Sequence, residues 1–184
     1  MMEVDMKNVM LVFALILTAL VLAGAGAKLE VGDKVPEFTV PYATADTVAM
    51  QGIGSKDLLG TRYVLAPFPA AWSSGCTKEV CTFRDAITDF EAFEVEVLPV
   101  SADLVFSSHE WAKHHDLNFK LLADHRRELG PALGVYNSDY GMYNRSVFVV
   151  GPDGNLEYID YDYSVQDDSD FEALKAALAE LTTE

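Results

Sequence analysis

Four short apolar runs rich in β-branched and aromatic residues, at positions 63–68, 94–102, 118–124 and 145–151, recur with helical patterns between them. Runs of that length and composition read as largely buried strands. Strands alternating with helices predict a mainly parallel sheet, because parallel neighbours need a crossover and a helix supplies it. Residues 79–93 place Val80, Phe83, Ile87 and Phe90 near one helical face, and that helix is expected to begin at Ser74 or Gly75. A second helix at 107–115 is opened by Ser107 or Ser108 as a cap, with Glu110 in its first turn. A third, at 171–181, is Leu/Ala-rich and follows an Asp/Ser cluster. "GPDGN" at 151–155 marks a tight turn into a last strand at 156–163, which adds an antiparallel pair.

The 184 residues are half apolar, enough for one domain with a sizeable core. A net charge of −16, from 29 acidic against 13 basic side chains, opposes nucleic acid, whose phosphates need Lys and Arg. Sixteen Asp against eight Lys fit either a self-repelling soluble surface or adaptation to high salt. The amino terminus stands apart. Residues 9–26 carry no charge, 11–22 have the length of a signal-peptide apolar region, and Ala25-Gly26-Ala27 fits a small-x-small cleavage site. The preceding "MMEVDMKN", with two acids and one lysine, fits such a segment poorly; a start at Met6 would restore the pattern. Residues 1–27 are assigned as a signal peptide or membrane anchor and 28–184 as the domain. Export or membrane attachment is expected, and a cytoplasmic location would require a mis-assigned start.

Both cysteines lie in "PFPAAWSSGCTKEVCTFRD" at 67–85, five positions apart. With a strand at 63–68 ahead of the helix, Cys76 falls in the helix's first turn, where unpaired N–H groups and the dipole favour an anion such as a thiolate. Ser73 can set a hydroxyl beside the sulfur. Along an intact helix the two thiols point about 140° apart with a rise of about 7.5 Å. A disulfide needs closer Cα atoms, so bonding them requires the first turns to unwind. A buried structural cysteine fits Cys76 equally well from spacing alone, and fits Cys81 better.

The segment at 69–76, "PAAWSSGC", matches the Pro-x-x-x-Thr/Ser-x-x-Cys signature of peroxiredoxins. The match continues through "TKEVCTFRD" and returns at "YNSDYGMYNRSVFVVGPDG", while "VSAD" followed by "HEWAKHHDL" resembles the family's middle strand and helix. The resemblance covers roughly residues 29–181. It is similar to the alkyl-hydroperoxide-reductase E and bacterioferritin-comigratory-protein subgroups. It implies a thioredoxin-like α/β fold, with a mixed central sheet and helices on both faces. It implies a thiol-dependent peroxidase acting on hydrogen peroxide or organic hydroperoxides, with no cofactor and no metal. On this resemblance Cys76 is the attacking thiolate and becomes a sulfenic acid. Ser73 and Arg145 hold the peroxide oxygens, Pro69 shields the sulfur, and Glu79 sets the local network, with Trp72 and Gly75 beside them. Cys81 condenses with the sulfenic acid to a disulfide, which a thioredoxin-like or other dithiol reduces. A homodimer is implied as well. The chain departs from the pattern at Ser73, usually Thr, at Pro67, usually aromatic, and at Gly75, which loosens the helix start.

Two other functions use the same residues. An exported thiol-disulfide oxidoreductase would want a Cys-x-x-Cys pair, which is absent; a non-enzymatic redox sensor would not need Ser73 and Arg145, which are present. His109, His114, His115 and His125 match no common ligand spacing, and His114 and His115 are expected on different sides of a helix. Acidic residues after "YIDYDY" lack the spacing of a calcium loop. Trp72 and Trp111 are expected as core or pocket-wall aromatics.

Overall fold

The computed structural model describes residues 28–166 and 168–182; the apolar segment at 9–26 lies outside the described residues. The described residues form nine strands: β1 (Thr39–Ala43), β2 (Val48–Gly54), β3 (Arg62–Pro67), β4 (Val95–Ser101), β5 (Leu121–Ala123), β6 (Tyr136–Asn137), β7 (Met142–Tyr143), β8 (Val147–Val150) and β9 (Leu156–Asp160). Among the described residues five helices accompany them: α1 (Ser74–Asp85), α2 (Ile87–Ala92), α3 (Val105–His114), α4 (Leu129–Ala132) and α5 (Ser169–Leu181). Seven strands form one sheet in the order β2-β1-β5-β4-β3-β8-β9, and β6 and β7 pair apart from it. β3, β4 and β5 run parallel, whereas β1, β8 and β9 join antiparallel, so the sheet is mixed.

Alternation along the central strands buries both faces. Val64, Ala66, Val97, Val147 and Val149 meet Val80 and Phe83 of α1, Phe90 of α2, Trp111 of α3 and Leu174 and Leu178 of α5. Tyr63, Leu65, Leu98, Phe148 and Val150 turn the other way, onto Leu129 of α4 and Tyr143 of β7. Helices therefore cover both faces, but unequally: four lie on the first and a single turn on the second.

The predicted helix through residue 93 breaks at Ala86, which sits at φ −99 and ψ 14 outside both helices. α3 starts two residues before the expected serine caps, with extended Leu104 at its N-cap. The β1–β2 hairpin was not legible as a periodic pattern, because β1 carries an irregularity between Val40 and Tyr42. Gly52 at φ +76 makes the close approach there, since a Cβ would fall 2.1 Å from Val40 O. Pro99 is tolerated in a central strand because the β4–β5 ladder begins only at Val100.

Asp124, buried at the end of β5, organises the second face. Its carboxylate accepts from the backbone N–H groups of Glu128 (3.0 Å), Leu129 (2.8 Å) and Gly130 (3.0 Å). The Tyr143 hydroxyl donates to the same carboxylate. Burial, followed by this contact with Asp124, raises the Tyr143 phenol well above its ordinary range. Asp124→Ala leaves several buried donors unpaired and is expected to cost roughly 2–4 kcal/mol. Chemical denaturation of the variant measures the loss; a change below about 0.5 kcal/mol would show that the carboxylate is dispensable.

Candidate active site

β3 delivers the chain to residues 68–73, which lead into α1. Pro67, the last residue of β3, keeps its place because its carbonyl accepts from Ser146 N at 3.1 Å. The connection is fixed from β4: Asp103 Oδ2 accepts from Ala71 N and from Ser101 Oγ, each at 2.8 Å. Asp103 was not singled out from the sequence; its only signal is an Asp two residues past a strand end, a common turn residue. Pro69 lies half-buried in this connection.

Ser73 is the N-cap of α1. Its Oγ accepts from Cys76 N at 3.4 Å and donates to Ala70 O at 3.1 Å. The hydroxyl expected beside the sulfur thus also caps the helix, satisfying one orphan donor of the first turn. Cys76, in that first turn, is only 1% exposed. Arg145, just before β8, donates through Nη2 to Cys76 Sγ at 3.4 Å and through Nη1 to Glu79 Oε2. Glu79 is itself 1% exposed, one turn along α1 from Cys76. The sulfur therefore faces a fixed guanidinium and a helix N-terminus together, and both stabilise negative charge on it. Gly75 leaves room for this arrangement, since a Cβ there would lie 3.3 Å from Arg145 Nη2.

The sequence-predicted residues Ser73, Gly75, Cys76, Glu79 and Arg145 are brought together; Trp72 faces elsewhere. It is 51% exposed at φ 66, so of the two places expected for the tryptophans, core or pocket wall, Trp111 takes the core and Trp72 does not. Its indole donates to Ser107 Oγ at 3.2 Å and its ring lies 5.6 Å from that of His114. That tether to α3 helps hold a backbone conformation unfavourable for a residue with a Cβ. His114 and His115 do not point apart: their rings meet at 4.7 Å, because α3 ends at His114 and His115 leaves the helical path. Burial, then His114 and Arg84, lowers the His115 imidazole below its ordinary value. Among the described residues no group of three His, Cys, Asp or Glu side chains is placed to hold a metal ion.

Cys81 lies half-buried on the body of α1, and both thiols are free. α1 is continuous from Ser74 to Asp85, so the pair stands at the separation that forbids a disulfide while the helix is intact.

Removing Arg145 would strand a buried carboxylate, and breaking such a pair is strongly destabilising. Arg145→Ala is expected to cost about 3 kcal/mol in denaturant unfolding, with Glu79→Gln/Arg145→Met together milder than Arg145→Ala alone. Equal stability of Arg145→Ala and the parent would contradict a paired Glu79.

A family model described as AhpC/TSA matches residues 31–159. A Mycobacterium tuberculosis protein named as a peroxiredoxin is 35% identical over 141 residues, 73% of this chain and 86% of the relative. Peroxiredoxin Bcp of Escherichia coli is 27% identical over 148 residues, covering 77% of this chain and 92% of its own length. The crystal structure of peroxidoxin BcpB from Mycobacterium tuberculosis superposes with a TM-score of 0.73 at 25% identity, over 83% of this chain and 98% of that one. The mixed sheet with helices on both faces is thus a thioredoxin-like fold of the peroxiredoxin kind, and the chain belongs to the AhpC/TSA family.

Proposed function

We propose that this protein is a thiol-dependent peroxidase that reduces hydrogen peroxide or organic hydroperoxides at Cys76. The observation that carries the reading is the 3.4 Å contact between Arg145 Nη2 and Cys76 Sγ at a Ser73-capped helix start. The thiolate attacks the terminal peroxide oxygen, the O–O bond breaks, and the alkoxide or hydroxide leaves and takes up a proton. Cys76 is left as a sulfenic acid and the peroxide is reduced to alcohol or water. Negative charge moves from sulfur to the departing oxygen, and the Arg145 guanidinium stays beside it throughout. Ser73 Oγ, released from Ala70 O, is the nearby hydroxyl able to donate to the incoming peroxide. Pro69 limits water at the sulfur.

In the second half of the cycle Cys81 attacks the sulfenic acid, expels water and forms an intrachain disulfide. A thioredoxin-like dithiol then reduces that bond by exchange. Dimerisation is part of the reading. Trp72, Leu104 and Phe106 are 51%, 63% and 63% exposed, the Trp72–Ser107 bond sets Trp72 against the start of α3, and a second copy would shelter these apolar side chains. We also assign residues 1–27 to export or membrane attachment, on the uncharged apolar stretch at 9–26 and the small-x-small pattern of Ala25-Gly26-Ala27.

Cys76→Ser is expected to abolish peroxide consumption in stopped-flow assays. Arg145→Ala should slow the peroxide step at least about tenfold, roughly 1.4 kcal/mol of transition-state stabilisation. Near-parental turnover in Cys76→Ser would end the peroxidase assignment. Native mass spectrometry of protein from the full gene tests the rest: a dimer of chains beginning near Lys28, or a detergent-borne dimer that keeps the apolar segment, is expected. A water-soluble monomer that retains Met1 would contradict both assignments.

A further inference from the structure

α1 is fastened on two flanks by basic side chains that reach backbone carbonyls. Lys78 Nζ donates to Val165 O at 2.6 Å, and Arg84 Nη1 donates to His115 O at 2.6 Å. About 120° of helix rotation separates the two, so one grips the stretch after β9 and the other the end of α3. They differ in their relation to the thiols. Lys78 lies between Cys76 and Cys81, whereas Arg84 lies beyond Cys81.

Bringing the two sulfurs together requires the backbone from 76 to 81 to leave helical geometry, and Lys78 travels with it. Arg84 can keep its hold, anchoring the half of α1 that need not move. Val165 sits against the site itself: its Cγ2 is 3.9 Å from the Cβ position of Gly75. Tyr163, Ser164 and Val165 line a narrow cleft with Lys78, Glu79 and Thr82. Ser164 N donates to Asp170 Oδ2 at 2.8 Å, which holds this stretch to the start of α5 without Lys78. The Lys78–Val165 bond therefore adds to the stability of the wound helix more than to that of the loop.

We infer that the Lys78–Val165 bond is a latch on α1, whose opening limits disulfide closure and so sets how much Cys76 sulfenic acid is lost to over-oxidation. This rests on the two-cysteine cycle proposed above. Two fates compete for the sulfenic acid. Cys81 thiol attacks it to give the disulfide and one water, or a second peroxide oxidises it to the sulfinic acid and is itself reduced to alcohol or water. A tighter latch favours the second fate.

The test follows one batch of full-length protein, as parent, Lys78→Met and Lys78→Arg, quenched at intervals after excess hydrogen peroxide. Disulfide and sulfinic forms are separated by mass. Lys78 is exposed, so both variants are expected to fold. Losing one such hydrogen bond should speed closure in Lys78→Met roughly three- to tenfold, with the sulfinic fraction falling accordingly. Lys78→Arg, which keeps a donor, should behave as the parent. Equal closure rates in the parent and Lys78→Met overturn the latch and leave the two-cysteine cycle standing. A parent that forms no disulfide at all overturns both.

Discussion

A guanidinium held between a thiol and a buried carboxylate is the contact that the rest of the site depends on. Arg145 comes from the entrance to β8, Cys76 and Glu79 from α1, and β8 lies beside β3, the strand that feeds α1. The antiparallel β3–β8 pairing therefore fixes the reach of the arginine before any side chain adjusts. Glu79 is 1% exposed, and a carboxylate so buried is costly without that partner. Gly75 is the local concession, since a larger residue would press on Nη2.

In the proposed two-cysteine cycle the same turn of helix has two opposed duties. Wound, it aims backbone N–H groups at the sulfur and keeps Ser73 at the cap. Unwound, it lets Cys81 reach that sulfur. Two features ease the opening that this cycle requires. Glycine inside a helix is less favourable than alanine by roughly 1 kcal/mol, and Gly75 sits where the helix must open. α1 is only 12 residues long and stops at Asp85, so opening its first turns need not disturb α2.

Much of this was legible in the sequence where a single local cause decided the outcome. The central strands follow from buried apolar runs, and Cys76 at a helix start follows from a strand that ends in front of a polar, glycine-containing stretch. Elements decided by distant partners were not legible. The break at Ala86 has no proline or glycine to announce it. Asp124 reads as an ordinary acidic residue after a strand, because its four donors include one nineteen positions away in the chain. Trp72 reads as a core or pocket-wall aromatic until its indole is seen bound to Ser107, and the meeting of His114 with His115 depends on where α3 stops. Arg145 has no local signal of its own; the resemblance of residues 136–154 to the family marks it, and the fold brings it to the sulfur.

The central claim is that one helical segment serves both states, wound for attack and unwound for the disulfide. Hydrogen exchange of the reduced and peroxide-oxidised protein measures this directly. Exchange should rise at residues 74–81 on oxidation, while β8, Val147–Val150, stays protected in both forms. Unchanged protection of 74–81 in fully oxidised protein would show that α1 never unwinds, and would leave Cys81 as a packing residue of a one-cysteine enzyme.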